Sequence, residues 1–374
     1  MMFIPLSKPD ISDLERRYVS EVLNSGQLSI GEKTIKFESL FIEKYKSGFA
    51  IAMNSGTSAL HVAVKALGLK EGDEVITTPY SFIASGNCLL YERVTPVFVD
   101  IDPDTLNIDP KRIESAITSK TKGILVVHIF GQPCDMSSIM EVASTYGLKV
   151  IEDACEAIGA KWNGKPVGTI GDAGVFAFYP NKQITTGEGG MLVTESEDAA
   201  LIARALRNQG RSTSSEWLDH EYVGYNYRIS ELQAALGVGQ MERLEHILQK
   251  REDVAKRYTE LLQRYQVEVT IPKVLPACSM SWFVYIVILP KKTDRNKIIS
   301  QLLKKGIQAK PYFPSIHKQT SYVNQFGSQS GKFPVSEEMS ERTLAIPFFS
   351  NMQFHEQEYV IRNLKTALDT EGER

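Results

Sequence analysis

Short apolar runs alternate with amphipathic stretches through the first two-thirds of the chain. The runs Phe49–Met53, Glu74–Thr77, Pro96–Asp100, Ile124–Val127 and Lys149–Glu152 have strand length and are largely apolar. Between them, Ala59–Leu67, Met136–Tyr146 and a stretch from Pro110 through Ile113 and Ala116 carry helical spacing. Apolar strands separated by helices predict an α/β unit with a mainly parallel sheet covered on both faces. Two more apolar runs, Gly174–Phe178 and Met191–Thr194, flank a loop with a single lysine, Lys182, two threonines and several glycines. They predict two strands joined by that loop, in the less regular part of the sheet.

From about Ser230 the pattern changes. Leu232, Ala235, Leu236, Met241, Leu244, Ile247 and Leu248 mark a long helical segment that continues, with a break, through Val254, Tyr258 and Leu261 to Leu262. A strand at Ser281–Leu289, a helix at Asn296–Lys305 and a second strand at Ile307–Ala309 complete a smaller α+β unit. The expected division is a large unit over 1–245 and a small one over 246–374, packed into one body. The polar stretch Ser212–His220 reads as irregular and mobile.

With 374 residues, 43% hydrophobic and 23% charged, the chain can bury a core for both units. A net charge of −3 leaves no basic footprint for nucleic acid. No segment approaches the ~18 uninterrupted apolar residues of a membrane span. Met1–Pro9 lacks the basic start and apolar core of a signal peptide, so a cytoplasmic protein is expected. Cys88, Cys134, Cys155 and Cys278 are far apart, without metal-ligand spacing, and read as reduced thiols in the core. No metal is expected.

Four features carry chemistry. Lys182 is either a surface lysine or an amine confined in a tight loop, where desolvation favours its nucleophilic form and a Schiff base can form. Asn54–Leu60 follows a strand and opens a helix; Ser55, Gly56 and Thr57 there make a phosphate seat or a plain cap. Glu152 and Asp153 end a strand, so only one of them points into the crevice at the strand ends; either can instead cap a helix beginning there. Phe82 belongs to the core or stacks on a planar ligand. A phosphate seat, an aromatic lid, a carboxylate for a ring nitrogen and a lysine for an aldehyde are together what pyridoxal phosphate needs.

These blocks resemble the DegT/DnrJ/EryC1/StrS family of pyridoxal-phosphate-dependent sugar aminotransferases. The likeness extends from Ser25–Gly31 to Leu344–Phe349 and includes Gly131–Met136, Glu152–Ala154, the Lys182 segment and Gly224–Arg228. It implies the aspartate-aminotransferase-like fold, type I, with a mainly parallel seven-stranded sheet between helices and a smaller C-terminal domain. It also implies a homodimer with shared sites. By position, Lys182 is the Schiff-base lysine and proton shuttle, Asp153 pairs with the pyridine nitrogen, and Phe82 stacks on the ring. Ser55, Gly56 and Thr57 hold the phosphate, and Asn226 reaches it from the other subunit. Glu156 stands where the family commonly has glutamine near the cofactor's phenolic oxygen, and Ala177 where it often has a phosphate-binding serine.

The resemblance further implies transfer of an amine from L-glutamate, through pyridoxamine phosphate, to a keto group of a nucleotide-linked hexose for amino-sugar and surface-polysaccharide synthesis. The loop Asn181–Gly190 is similar to enzymes acting at C4 of 4-keto-6-deoxy sugars; amination at C3 is the alternative. Arg211 or Arg228 can hold a donor carboxylate or nucleotide phosphate, and Arg228 can equally be structural. His317 lies in a segment similar to one near the family's substrate, and Ser29, in the Ser25–Gly31 block, is a further substrate candidate. Tyr225 and Tyr227 line the sugar or pack the dimer, whereas His128 reads as a satisfied structural histidine. Related dehydratases replace the lysine with histidine, so Lys182 favours transamination. Gly168–Gly174 has the wrong spacing for a dinucleotide fingerprint, which weighs against a dehydrogenase. The intact Lys182 and Asp153 weigh against a noncatalytic regulator on this scaffold.

Overall fold

The computed structural model describes residues 3–212 and 219–372. Most of the stretch expected to be mobile, residues 213–218, lies outside the described residues. Seven strands form the main sheet: β1 (Phe49–Met53), β2 (Glu74–Thr77), β3 (Thr95–Phe98), β4 (Thr121–Val127), β5 (Lys149–Asp153), β6 (Ala173–Ala177) and β7 (Gly190–Thr194). Their spatial order is β1-β7-β6-β5-β4-β2-β3. From β6 to β3 every pairing is parallel; β7 runs antiparallel to both β6 and β1. The irregular part of the sheet is therefore where the lysine loop joins β6 to β7, as its sequence suggests.

Two apolar clusters cover the faces of this sheet. One gathers Leu60 and Ala63 of the helix Gly56–Ala66 with Val127 and Leu192, and the other Phe37, Phe41, Phe176 and Phe178 with Val238. A third cluster surrounds an antiparallel three-stranded sheet, in which Thr343–Ile346 lies between Tyr285–Ile288 and Lys310–Pro311. Ile4 belongs to this third core and bridges to Ile307. The first described residues therefore contribute to the smaller layer.

Several expectations shift in detail. The stretch Pro110–Ala116 forms two three-residue 3₁₀ turns, because Ile113 alone is buried there while Lys111, Arg112 and Glu114 face solvent. A helix with one apolar position has no face to pack. The strand expected at Ile307–Ala309 pairs at Lys310–Pro311. The long helical segment breaks at Arg243, between Glu231–Glu242 and Leu244–Arg264. The helices Asp13–Ser25, Glu32–Tyr45, Glu197–Arg207 and Phe354–Gly372 lie outside the elements expected from sequence. Ser12 and Glu15 form a reciprocal capping box at the first of these, a signal legible as Ser-x-x-Glu.

Arg251 ties parts of the smaller layer together beside the main sheet. It is buried in the helix Leu244–Arg264 and donates to the carbonyls of Trp282 and Phe283, each at 2.7 Å. Its guanidinium also lies 4.8 Å from the Phe348 ring centroid. Burial without a carboxylate partner pulls its pKa down to about 9, so it remains charged at neutral pH. Arg251→Ala strands two carbonyls in an apolar setting and should destabilise the fold by about 3 kcal/mol. The check is a fall of several degrees in Tm; an unchanged Tm would remove Arg251 as the fastener.

Candidate active site

The strand ends of β2, β4 and β5 open into a cavity of about 800 Å³ that meets the smaller layer at Phe283 and Tyr312. Its chemistry starts from the pleat of β5. Successive side chains on a strand point to opposite faces, so Glu152 and Asp153 separate. Asp153 lines the cavity, while Glu152 is fully buried on the other side. There Glu152 accepts from the backbone N–H groups of Gly168 (2.8 Å), Ile170 (2.6 Å) and Gly171 (2.7 Å). His128 Nε2 lies 3.0 Å from the same carboxylate. His128 Nδ1 accepts from the Cys134 N–H at 3.0 Å, so the ring proton is on Nε2 and donates to Glu152. His128 is structural, and the glycine-rich Gly168–Gly174 segment wraps a carboxylate of its own chain.

Asp153 is held from two sides. Its Oδ2 accepts from Ser85 Oγ at 2.7 Å and its Oδ1 from the Cys155 N–H at 3.1 Å. Ser85 lies in the first turn of the short helix Ala84–Leu90, three residues after Phe82. Phe82 is 60% exposed and lines the cavity, which removes it from the core and leaves its ring available to a ligand. Leu60, Ser81 and Val127 complete this side.

The helix Gly56–Ala66 points its N-terminus into the same space. Ser55 caps it, its hydroxyl accepting from the Ser58 N–H at 3.0 Å and lying 2.8 Å from Ser58 Oγ. The amides of Gly56 and Thr57 belong to the first turn and have no helical partner, and both residues line the cavity. A Cβ on Gly56 would come within 2.6 Å of Ala177 Cβ and 3.1 Å of Cys155 Sγ, so only glycine fits this seat. Unpartnered amides at a positive helix end suit a phosphate. With the carboxylate of Asp153 and the ring of Phe82, these residues fit pyridoxal phosphate.

Lys182 approaches from the β6–β7 loop. Its backbone N–H donates to the Tyr179 carbonyl at 2.9 Å, and Gly187 turns the chain back with a φ of 81°. The amine lies 3.2 Å from Glu156 Oε1 and 4.0 Å above the centroid of the Phe283 ring. The side chains of Lys182 and Glu156 are 13% and 7% exposed. Burial pushes the Glu156 carboxyl above the ordinary carboxylate range; Lys182 and the Phe130 N–H work against that shift. The amine is thus confined, as its loop suggests, but beside a carboxylate. Burial drives the Cys155 thiol far up, with the charge of Asp153 adding to it, so this cavity cysteine is inert at neutral pH.

The remaining expected residues lie outside this chain's cavity. Asn226 is exposed, and its carbonyl accepts from Asn54 Nδ2 at 3.3 Å. Tyr225 and Tyr227 stack on each other at 4.8 Å beside His61; the Tyr225 hydroxyl donates to Glu92 at 2.9 Å. Arg228 donates to Asn208 Oδ1 at 2.8 Å, a hydrogen bond rather than an ion pair. Ser29 is exposed and bridges to Ser230, and Arg211 is half-buried. His317 is buried with its Nε2 3.1 Å from Glu337 Oε1. Conversely, the cavity includes Ser85, Asn181, Phe283, Tyr312 and Gln319, which were not expected. Ser85 stood in a segment already of interest; Phe283 and Tyr312 come from 198 and 227 residues further on, where no local pattern points to the cavity.

Residues 9–365 match the DegT/DnrJ/EryC1/StrS aminotransferase family. The chain is 41% identical over 324 residues to the GDP-perosamine synthase of Caulobacter vibrioides, covering 86% of this chain and 87% of that one. It is 37% identical to the Bacillus subtilis spore coat polysaccharide biosynthesis protein SpsC, over 97% and 96% of the two chains. Among solved structures, Helicobacter pylori PseC, an aminotransferase involved in pseudoaminic acid biosynthesis, superposes with a TM-score of 0.93 at 28% identity, covering 99% of this chain and 100% of that one. The chain belongs to the DegT/DnrJ/EryC1/StrS aminotransferase family and is a pyridoxal-phosphate-dependent sugar aminotransferase.

Proposed function

We propose that the protein moves the amino group of L-glutamate to C4 of a nucleotide-linked 4-keto-6-deoxy hexose, toward a surface polysaccharide. The observation that carries the reading is the meeting of the Lys182 amine, the Asp153 carboxylate and the Gly56 and Thr57 amides in one cavity. A relative named for a GDP-linked sugar and another named for spore coat polysaccharide support the substrate class. The loop Asn181–Gly190 supports C4. The ring of Phe283 offers apolar contact to a sugar methyl.

Bound here, pyridoxal phosphate supplies the electron sink for the carbon that loses its proton. Asp153, fixed by Ser85 and the Cys155 N–H, would hold the ring nitrogen's proton through a charge-assisted hydrogen bond. The amides of Gly56 and Thr57 would take the phosphate, and Phe82 would cover the ring. Lys182 Nζ would take the proton from the substrate carbon that carries the amine and hand it on as the general acid–base of the site. Phe283 and Tyr312 exclude water from the Lys182 side.

Asn226, Tyr225, Tyr227, Arg211, Arg228 and Ser29 serve a second copy of the chain in this reading. Their places outside this chain's own cavity favour a homodimer in which each subunit completes the other's site.

These roles set three expected outcomes. Asp153→Asn should lower kcat by roughly a thousandfold or more, because the ring nitrogen loses its anionic partner; near-wild-type turnover would remove Asp153 from the chemistry. Incubation with glutamate and UDP-, dTDP- and GDP-linked 3-keto and 4-keto sugars should give a 4-amino product by mass spectrometry and NMR, with 2-oxoglutarate formed in equal amount. A product aminated only at C3 would refute the C4 assignment. Co-expression of Lys182→Ala chains with Asn226→Asp chains should restore activity to about a quarter of wild type through mixed dimers. No recovery beyond the Asn226→Asp protein alone would argue against shared sites.

A further inference from the structure

Glu156 is fixed on both of its oxygens. Oε2 accepts from the Phe130 N–H at 2.9 Å and Oε1 faces Lys182 Nζ at 3.2 Å. The donor on the Phe130 side is itself tightly held. Phe130 has a φ of 57° and Gly131 a φ of 91°, and a Cβ on Gly131 would strike the Ser281 carbonyl at 1.6 Å. The loop cannot easily move, so it aims one N–H at one carboxylate oxygen and leaves the other for the lysine. Among the described residues the amine's ion pair is with Glu156 and not with Asp153, whose oxygens accept from the Ser85 hydroxyl and the Cys155 N–H.

We propose that Glu156 is the proton acceptor of Lys182, receiving the proton the ammonium must lose before its nitrogen can attack a carbonyl carbon. The inference rests on the reading of Lys182 as the reactive amine. One proton passes from Nζ to Oε1, and charges of +1 and −1 become a neutral amine and a neutral carboxylic acid. No electron changes hands, and the proton returns when the amine is next released. Burial favours the neutral acid, which is the direction in which the Glu156 carboxyl is pushed. The amide of a glutamine could hydrogen-bond at this position but could not accept that proton.

Other groups around the pair do not replace it. Asp153 and Cys155 face it from the end of β5, Tyr80 from beyond β2 and Tyr312 from the smaller layer. Burial raises both tyrosines and the thiol, leaving them neutral near pH 7. Among these neighbours Asp153 is the other carboxyl, and its negative charge adds to the tendency of Glu156 to take up a proton.

The test measures how fast Lys182 forms a Schiff base when pyridoxal phosphate is added to the full-length, cofactor-free protein at pH 7.5, followed by stopped-flow absorbance. Borohydride trapping and mass spectrometry confirm the site, and acetylation by acetic anhydride, with the exposed Lys70 as internal reference, checks that Lys182 stays accessible. Glu156→Gln has no group to take the proton and should slow Schiff-base formation about tenfold or more, without slower acetylation. Glu156→Asp keeps a proton acceptor and should stay within about threefold of wild type. Equal Schiff-base rates in the Gln variant and wild type, or equal slowing in both variants, would overturn the inference and reduce Glu156 to a packing role. If borohydride traps no pyridoxyl group on Lys182, the reading of Lys182 fails as well; if it traps one there while the rates are equal, Glu156 alone is refuted.

Discussion

The site is organised by the alternation of side chains at the end of β5. Two adjacent carboxylates there cannot share a face, and each has a different use. Glu152 is buried among three backbone N–H groups and the Nε2–H of His128. Full hydrogen bonding is what makes a buried carboxylate tolerable. The three backbone donors come from the segment Gly168–Gly171, which leads directly into β6. Glu152 therefore sets where β6 begins, and β6 leads to Ala177 and the loop that carries Lys182. Asp153, one residue on, turns into the cavity toward which that loop is delivered.

Two further constraints converge on the same point. Glycine at position 56 lets the first turn of its helix approach Ala177 and Cys155 closely. Arg251 ties the carbonyls of Trp282 and Phe283 to a helix of the smaller layer, which fixes the ring over which the Lys182 amine lies. The reactive amine thus has a carboxylate on one side and an aromatic face on the other, each placed by a different part of the fold. Its environment is less simply apolar than the loop sequence alone suggests, because Glu156 supplies a charge partner at 3.2 Å.

Much of this was legible in the sequence because it is local. Strand periodicity located the sheet, the small and hydroxylated residues from Asn54 marked the helix N-terminus, and the glycines after Lys182 marked its turn. The strand pattern alone did not choose between Glu152 and Asp153, since that depends on strand phase relative to the cavity; the family resemblance pointed to Asp153. Phe283 and Tyr312 were hidden for a different reason: their importance comes from the smaller layer folding back on the sheet, and nothing in their neighbours encodes that contact. Pro110–Ala116 misled because a helical spacing with one buried position, Ile113, has no partner surface. Asn226, Tyr225 and Arg228 have roles in this reading that a single chain does not complete.

The most direct measurement of the central claim is the mass of the Lys182 peptide after the purified protein is mixed with pyridoxal phosphate and reduced with borohydride. The account predicts a pyridoxyl group on Lys182 Nζ, with the other lysines unmodified at equimolar cofactor. Adduct on a different lysine, or none while the protein still transaminates, would contradict it.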